Sequence, residues 1–408
     1  MSYKKLGDYI QQVNNRNRNL QVDTLLGVSI TKKLIPSIAN TVGTDMSTYK
    51  IIEKGQFAYG TITSRNGDKI SIALADEYDK ALVSQIYIVF EVIDKNELLP
   101  EYLMMWFSRP EFDRYARYHS HGSTRESFDW EDLCEVELPV PSIEKQREIV
   151  AQYQVVENKI KVNEQICEQL EVTAQTLYKQ WFVDFEFPNE EGQPYKSSGG
   201  EMVFNEELEK EIPEGWEVKS LGEVTDKTSS GSTPSRDDMS YWTNGKIPWL
   251  KTGELNDKIV VNSEEKITTK ALKETSVKLI PKDSLLIAMY GEGKTKGSVG
   301  YLKFEATTNQ ACCALISSNV QIINFLYYAM KANKDEILKN AIGGAQPNLS
   351  KKIVDEFRLL IPQKEILDKF DMNKYILFQE SILKQNQKLT QLQSLLLSRL
   401  ATLEGQNI

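Results

Sequence analysis

The chain contains 408 residues, of which 40% are hydrophobic and 26% charged, and its formal net charge is −9. This length allows two or three domains with cores of their own, and the composition excludes a disordered or fibrous chain. The N-terminus lacks an apolar signal core and no segment approaches the ~18–20 apolar residues of a membrane span, so we expect a cytoplasmic protein.

The negative charge is distributed unevenly. Residues 141–212 contain 15 acidic and 7 basic side chains, whereas residues 213–360 contain 18 acidic and 20 basic ones. Nucleic-acid binding is therefore not excluded, because only the charge of the binding face decides it. Two of the four cysteines, Cys312 and Cys313, are adjacent, which is typical of a reducing compartment rather than of a disulfide framework.

The first block, residues 1–140, alternates short apolar stretches with turns. Strands are predicted over residues 49–52, 56–59, 70–74 and 83–92. A helix is predicted over residues 99–117, with Tyr102, Leu103, Trp106 and Phe107 on one face. Together these elements predict a small α+β domain.

A long amphipathic helix is predicted over residues 141–185, because Pro141 marks a helix start and apolar or small residues then recur in heptads. Its two inward series are Ile149, Val156, Asn163, Leu170 and Leu177, and Tyr153, Ile160, Cys167, Ala174 and Trp181. About 40 residues in such a helix span roughly 60 Å. The chain then passes through a Pro- and Gly-rich linker over residues 186–212.

The second block and its helix repeat this plan. In residues 213–361 we expect strands over 284–289, 298–304 and 311–316 and a helix over 322–339. A second heptad helix is predicted over residues 362–408. Its two series are Tyr375, Ile382, Leu389, Leu396 and Leu403, and Phe378, Gln385, Leu392 and Arg399.

Asn163 and Gln385 are polar residues near the middle of the two helices. Single buried amides fix the register of other coiled coils, so these two residues are candidates for a register-fixing pair. The alternative is that both positions simply tolerate a polar side chain.

Short sequence echoes show that the chain is a tandem duplication. Residues 5–8 read KLGD and residues 219–223 read KSLGE, while 138–144 read LPVPSIE and 359–365 read LLIPQKE, an offset of 221 residues. Solenoid repeats are far shorter than this period. The predicted fold class is α+β, with two tandem domains separated by two long antiparallel coiled-coil helices in an internal pseudo-twofold repeat.

Residues 288–295 read AMYGEGKT and match a loose nucleotide-binding pattern. A phosphate loop requires a helix to follow at once, whereas residues 296–304 read KGSVGYLKF and alternate like a strand. We therefore interpret the segment as a hairpin whose tip can meet a phosphate backbone or base edges. His119, His121 and Cys134 do not complete a zinc site, and no catalytic constellation is recognisable.

Several motifs resemble the specificity (S) subunit of type I restriction–modification enzymes. They are residues 181–188 (WFVDFEFP), 192–202 (GQPYKSSGGEM), 212–216 (IPEGW), 231–235 (GSTPS), 247–249 (IPW), 344–350 (GAQPNLS) and 362–365 (PQKE). The resemblance covers the whole chain. It implies a non-catalytic protein with two target-recognition domains, each reading one half of a bipartite, asymmetric double-stranded DNA target.

The same resemblance implies that the two helices serve as spacer and docking site for methyltransferase (M) subunits, expected to be two. Restriction (R) subunits would join through the complex. S-adenosylmethionine, ATP and Mg are expected on these partner subunits, with no cofactor or metal on this chain and no membrane association.

The blocks vary freely within this family, so candidate DNA contacts are chosen by residue type: arginine forks suit guanine and phosphate, and amides suit adenine. In the first block they are Arg16, Arg18, Thr63, Ser64, Arg65, Asn66, Lys69, His119, Ser123 and Arg125. In the second they are Ser229, Ser232, Thr233, Ser235, Arg236, Lys251, Tyr290, Lys294, Lys296, Gln346 and Asn348. Each is equally compatible with an ordinary solvated loop residue, and Trp106, Trp242 and Trp249 are expected in the core.

Two other hypotheses stay open at this point. The chain could be a nucleotide-binding enzyme domain pair that uses the 288–295 loop, with Lys294 on the phosphates. It could also be a purely structural coiled-coil adaptor without any DNA sequence preference.

Overall fold

The computed structural model describes residues 3–38, 43–63, 69–122, 126–293, 295–342 and 347–400. It contains two compact units, residues 1–161 with 387–408, and residues 162–386. Both long helices are divided between the two units: Ile143–Tyr178 after residue 161, and Asn373–Arg399 after residue 386. Strands and helices are mixed in both units, which confirms the α+β class.

The first unit contains two four-stranded sheets. One has the strand order Ile10–Val13, Ile88–Val92, Phe57–Gly60, Ser71–Leu74 and is antiparallel throughout. The other has the order Leu34–Pro36, Leu25–Val28, Lys80–Val83, Lys50–Glu53, with one parallel pair at its centre. Besides the long helices, the unit contains the helices Pro100–Phe107, Pro110–Tyr118 and Trp130–Cys134.

Two elements predicted as continuous in the first block are interrupted. Residues 83–92 contain the end of the strand Lys80–Val83 and the whole strand Ile88–Val92 of another sheet, because the chain turns where the Tyr87 N–H donates to the Ser84 carbonyl at 3.0 Å. The helix predicted over 99–117 breaks before Pro110, where Arg109 is extended with φ −72° and ψ 135°. The residue before a proline is disfavoured in helical geometry, which explains the break.

The second unit is built on a five-stranded sheet with the order Lys227–Ser230, Cys312–Ile316, Ser284–Ala288, Val299–Leu302, Lys258–Val260. A three-stranded sheet adds Glu265–Ile267, Ile247–Leu250 and Thr307–Thr308, and a hairpin joins Met202–Asn205 to Lys210–Pro213. Its shorter helices are Leu221–Val224, Thr269–Glu274, Val320–Ala332, Lys334–Lys339, Lys351–Glu356 and Lys364–Lys369. The helix predicted over 322–339 is thus divided at Asn333.

The sequence echoes form the same closing ladder in each unit. Tyr3–Lys5 pairs antiparallel with Glu137–Pro139, and Glu217–Ser220 pairs antiparallel with Arg358–Ile361. A glycine follows the first strand in both cases, and a β-carbon on Gly7 would come within 2.9 Å of the Cys134 β-carbon. Each recognition block is therefore closed by its own two ends, as a duplicated domain requires.

The linker between the blocks is ordered around aromatic side chains. Phe187 stacks on Tyr195 and on Trp216, with ring centroids 4.5 Å and 5.3 Å apart, and Phe185 meets Trp216 edge to face at 5.5 Å. Phe182, in the short turn of wider helix that ends the first long helix, packs against Trp216 as well. The resembling motifs over 181–216 thus form one aromatic cluster.

The two long helices run antiparallel within the second unit, because Asn163 contacts Asn386 while Trp181 packs against Phe370. In the first helix every predicted inward position is buried or half-buried. In the second helix the predicted Phe378 series is wrong by one residue: Phe378 and Leu392 are 52% and 43% exposed. The inward residues are Ile376, Gln379, Ile382, Leu397 and Leu400, so Ile382 of the predicted Tyr375 series is buried as expected.

This shift follows from a break that the sequence pattern did not predict. The second long helix does not start at residue 362; the short helix Lys364–Lys369 ends at Phe370, and Asn373–Arg399 begins three residues later. Phe370 and Met372 insert into the core of the second unit, and the inward face of the following helix continues from them.

Candidate nucleic-acid interface

All five strands of the five-stranded sheet in the second unit have one end at the same side of the sheet. Ser230 pairs with Cys313, Ala288 with Cys312, Ile287 with Val299, and Lys258 with Gly300 in the registers of neighbouring strands. The loops at this side are residues 231–236, 251–257, 289–293 with 295–298, and 309–311, and together they are called the loop edge of the second unit. Most candidate residues of the second block therefore share one side of the domain.

The loop 231–236 is fixed to neighbouring residues by close packing and hydrogen bonds. A β-carbon on Gly231 would come within 2.3 Å of Thr308 and Asn309, so only glycine fits there. Ser232 is hydrogen-bonded to Ser276 at 2.8 Å, and Thr233 donates to Gln310 Oε1 at 2.6 Å. The loop 231–236 is thus packed against its neighbours at the loop edge.

Arg236 and Lys251 converge on one carboxylate. Arg236 Nη1 donates to Glu265 Oε2 at 2.5 Å, and Lys251 Nζ lies 2.9 Å from Glu265 Oε1. The hydrogen bond from Arg236 is the largest cause that lowers the pKa of Glu265, so this carboxyl is ionised at neutral pH. The Arg236 guanidinium carbon lies 3.7 Å from the Trp242 ring centroid, so Trp242 is a stacking platform, whereas Trp249 is buried in the core as expected.

The predicted hairpin at 288–297 is confirmed, because Ser284–Ala288 and Val299–Leu302 are antiparallel neighbours and the Gly297 N–H donates to the Ala288 carbonyl. Tyr290 is exposed at this hairpin, and Lys296 Nζ donates to the Pro347 carbonyl. Asn348 is held by a bridge to Ile342. The hairpin and the segment around Asn348 therefore meet at the same edge.

The first unit has an equivalent loop edge, where its strands end at Val13 and Gly60 and begin at Ser71 and Ile88. It comprises residues 14–24, 61–63, 69–70 and 84–87. A bridge between His121 and Ser127 lies beside it and has the six-residue spacing of the Ile342–Asn348 bridge. The two units thus repeat this feature although their sequences differ.

Arg18 and Lys69 are exposed at the loop edge of the first unit. Arg16 Nη1 donates to the Thr48 carbonyl at 2.8 Å, which fixes its side chain across the loop. His119 is half-buried, and its ring stacks on Tyr115 with centroids 4.1 Å apart. Among the described residues of this edge, the exposed cationic candidates are Arg18 and Lys69.

Two candidate hydroxyls support the loops from inside. Thr63 is buried, and its hydroxyl donates to Ser120 Oγ at 3.0 Å. Ser229 is buried in the strand that precedes the 231–236 loop. Ser64, Arg65, Asn66, Ser123, Arg125, Lys294 and Gln346 lie outside the described residues.

The geometry offers no reactive centre within the part of the chain that the structure describes. No group of three His, Cys, Asp or Glu side chains there is placed to hold a metal ion. All four cysteines are free, and burial raises the pKa of Cys313 to about 12, so its thiol stays protonated at neutral pH. No described helix is long and apolar enough to cross a bilayer.

Sequence reasoning missed Glu265, Gln310 and Ser276, which organise the loop edge of the second unit. Glu265 lies in a strand paired with Ile247–Leu250, and only this pairing brings it to Arg236. Gln310 follows Asn309 in the sequence, and this amide pair next to an apolar strand was the one available signal.

The family model and the similar proteins carry descriptions that agree with one another. A family model described as "Type I restriction modification DNA specificity domain" matches residues 27–172 and 213–396. The type I restriction enzyme MjaIX specificity subunit of Methanocaldococcus jannaschii is 33% identical over 301 residues, which cover 72% of this chain and 66% of that protein, just under two thirds of its length. The HindI specificity subunit of Haemophilus influenzae is 25% identical over 405 residues, with 86% of each chain covered.

Among solved structures, the crystal structure of a type I restriction-modification system S subunit from M. genitalium is similar to this chain with a TM-score of 0.57. The sequence identity is 16%, and the match covers 98% of this chain and 95% of that one. At this identity the similarity concerns the fold alone, and it agrees with two tandem domains and paired long helices.

Proposed function

The chain belongs to the type I restriction modification DNA specificity family, and from this we propose that it is the non-catalytic specificity subunit of a type I restriction–modification complex. It reads a bipartite, asymmetric DNA target, one half-site for each unit. The observation that carries this proposal is that the two units repeat the same strand arrangement but carry different loop residues. Closing ladder, sheet edge and bridge recur in both units, while the side chains at the two loop edges differ.

Both loop edges have the chemistry that DNA reading requires. Arg18 and Lys69 in the first unit, and Arg236, Lys251 and Lys296 in the second, supply cations for phosphates and guanine edges. We propose that these residues, together with the hydroxyls of Ser232 and Thr233, form the contact surface. A net acidic chain can bind DNA in this way, because most of its excess acidity lies in residues 141–212, with 15 acidic and 7 basic side chains.

The long helices supply the docking surface for partners. Val155 and Val172 on the first helix, and Phe378, Leu392 and Leu395 on the second, are large apolar side chains exposed to solvent. Exposed apolar residues at this density on a polar helix are typical of a protein interface. We propose that two methyltransferase subunits dock there, that restriction subunits join through them, and that the complex works in the cytoplasm.

The nucleotide-binding alternative is not supported. Residues 288–295 are followed by the strand Val299–Leu302, whereas a phosphate loop directs the N-terminal amides of a helix at its ligand. The adaptor alternative differs from the proposal in a measurable property, since it predicts no sequence preference.

Mapping of methylated bases across the source genome, with and without this gene, tests the proposal. We expect one bipartite sequence with two unlike halves to lose its methylation when the gene is deleted. An unchanged methylation map would contradict the proposal.

A further inference from the structure

Arg236 is held more tightly than a solvated loop arginine at the loop edge of the second unit. Its guanidinium carbon lies 3.7 Å from the Trp242 ring centroid and 4.9 Å from that of Trp249, and these two rings are perpendicular to each other. Its Nη1 donates to Glu265. Yet the side chain is 50% exposed, so part of its planar fork faces solvent.

The same two indoles also hold the backbone that carries Arg236. Trp242 Nε1 donates to the Ser235 carbonyl at 2.9 Å, and Trp249 Nε1 donates to the Ser232 carbonyl at 3.1 Å. The loop is therefore fixed at two carbonyls on the approach to Arg236, and the side chain is fixed at its tip. A fork oriented in advance loses little conformational entropy when it binds a planar partner.

Glu265 distinguishes between the ligands that such a fork can bind. A carboxylate 2.5 Å from Nη1 repels a phosphate group, whereas the O6 and N7 atoms of guanine are neutral acceptors. Lys251 Nζ lies 2.9 Å from the other oxygen of the same carboxylate and 3.3 Å from Glu264, so its charge is offset as well. The cluster therefore favours a neutral acceptor such as a guanine edge over a phosphate at Arg236.

We propose that Arg236 reads the O6/N7 edge of a guanine in the half-site of the second unit, with Glu265 and Trp242 as positioning residues. This inference rests on the proposed function and deepens it, because it assigns a G·C base pair to one position of that half-site. A bidentate arginine–guanine pair gives a preference of roughly 5- to 150-fold, the equivalent of ~1–3 kcal/mol.

The test uses the chain assembled with its methyltransferase subunits and a library of DNA duplexes that varies every position of both half-sites. Wild type is compared with Arg236→Lys, Arg236→Gln and Glu265→Gln. Arg358→Lys is the matched control, since Arg358 Nε donates to Glu207 at 2.6 Å and belongs to the closing ladder rather than to the loop edge. Thermal melts of all variants show whether each one folds.

We expect wild type to require G·C at one position of the second half-site. Both Arg236 variants should lose the preference there by roughly 5- to 150-fold, keep every other position, and leave the salt dependence of binding unchanged. Glu265→Gln should weaken the same preference, which a merely structural role would not do, while the control matches wild type. A folded Arg236→Lys variant with the wild-type motif, or relaxation in the other half-site, would overturn the inference.

The failure of the proposed function has a different signature. A wild-type complex that shows no bipartite preference contradicts the specificity-subunit proposal itself. A wild-type bipartite motif without G·C in the second half-site contradicts only the role of Arg236.

Discussion

Replacing Asn163 with alanine should destabilise the second unit through a single buried amide. Asn163 is 1% exposed, and its Nδ2 donates to Gln385 Oε1 at 2.9 Å and to Asn386 Oδ1 at 2.6 Å. Each intramolecular hydrogen bond contributes about 1 kcal/mol net, and the substitution removes both of these bonds and leaves a small cavity. We therefore expect Asn163→Ala to lower the free energy of unfolding by about 2–3 kcal/mol.

Urea unfolding of the purified chain measures this difference. Gln165→Ala is the matched control, because Gln165 is exposed two residues away on the same helix, and its substitution should cost less than about 0.5 kcal/mol. A double-mutant cycle of Asn163→Ala with Asn386→Ala should give a coupling energy of about 0.5–3 kcal/mol. Equal unfolding energies for Asn163→Ala and Gln165→Ala, or a coupling energy near zero, would refute the reasoning.

A register role for these amides has a separate signature. Gln385, the predicted partner of Asn163, accepts its hydrogen bond but is exposed, so the half-buried Asn386 takes the inward position instead. Replacing Asn163 and Asn386 together with leucine removes the inward polar pair at once, so stability should largely return while register specificity falls. Complexes with this double variant should methylate targets of more than one spacer length. A single wild-type spacer length would show that the amides stabilise the helix pair without setting its register.

Three further outcomes follow from the structure. One heptad added to a single helix should change the spacer or abolish assembly, and one added to both helices should lengthen the methylated spacer by about three base pairs, since seven helical residues rise about 10 Å. Lys303→Ala should cost about 3–5 kcal/mol in urea unfolding, because the 7% exposed Lys303 pairs with both Asp283 and Glu380. Asp283 would stay partly buried without this cation, whereas Glu380 would keep its ion pair with Lys384. The pKa of Glu265 is lowered, chiefly by the hydrogen bond from Arg236. The ionised carboxylate therefore stabilises the fold above the ordinary glutamate pKa of about 4.3, and this stabilisation is lost as pH falls through the lowered pKa. The free energy of unfolding of Glu265→Gln should lack this pH dependence.

Local patterns determined the features that sequence reasoning predicted correctly. The heptads of the first helix continue without interruption, so its inward face could be read directly, including Asn163. The duplication was also recognisable from the repeated segments at 5–8, 138–144, 219–223 and 359–365, although their pairing as closing ladders was seen only in the structure. The hairpin at 288–297 followed from its alternation and its glycines.

The second helix shows where pattern reading fails. Apolar residues occupy both neighbouring stripes, with Tyr375 next to Ile376 and Leu396 next to Leu397, so the heptad pattern fits two registers. The break at Phe370 and the packing of Met372 decide between them, and both are tertiary effects. The second stripe, with Phe378 and Leu392, remains exposed and is the surface that we assign to partner docking.

The sequence indicated which loops form the proposed DNA-contact surfaces, but not which side chains contact one another there. Strand alternation and turns indicated the loops that we propose as DNA contacts, and most of the candidates that the structure describes lie at the two loop edges. Glu265 was not found because its contact with Arg236 depends on the pairing of strands that the sequence does not specify. No local sequence rule predicts which loop side chains contact each other, so these contacts could be found only in the structure.

The central claim is that each unit reads its own half-site, and exchanging one unit tests it most directly. Residues 213–361 would be replaced by the equivalent block of a relative with a different target, which leaves both long helices in place. We predict that mapping of methylated bases shows a new second half-site, with the first half-site and the spacer unchanged. A change in both half-sites, or in neither, would contradict the account.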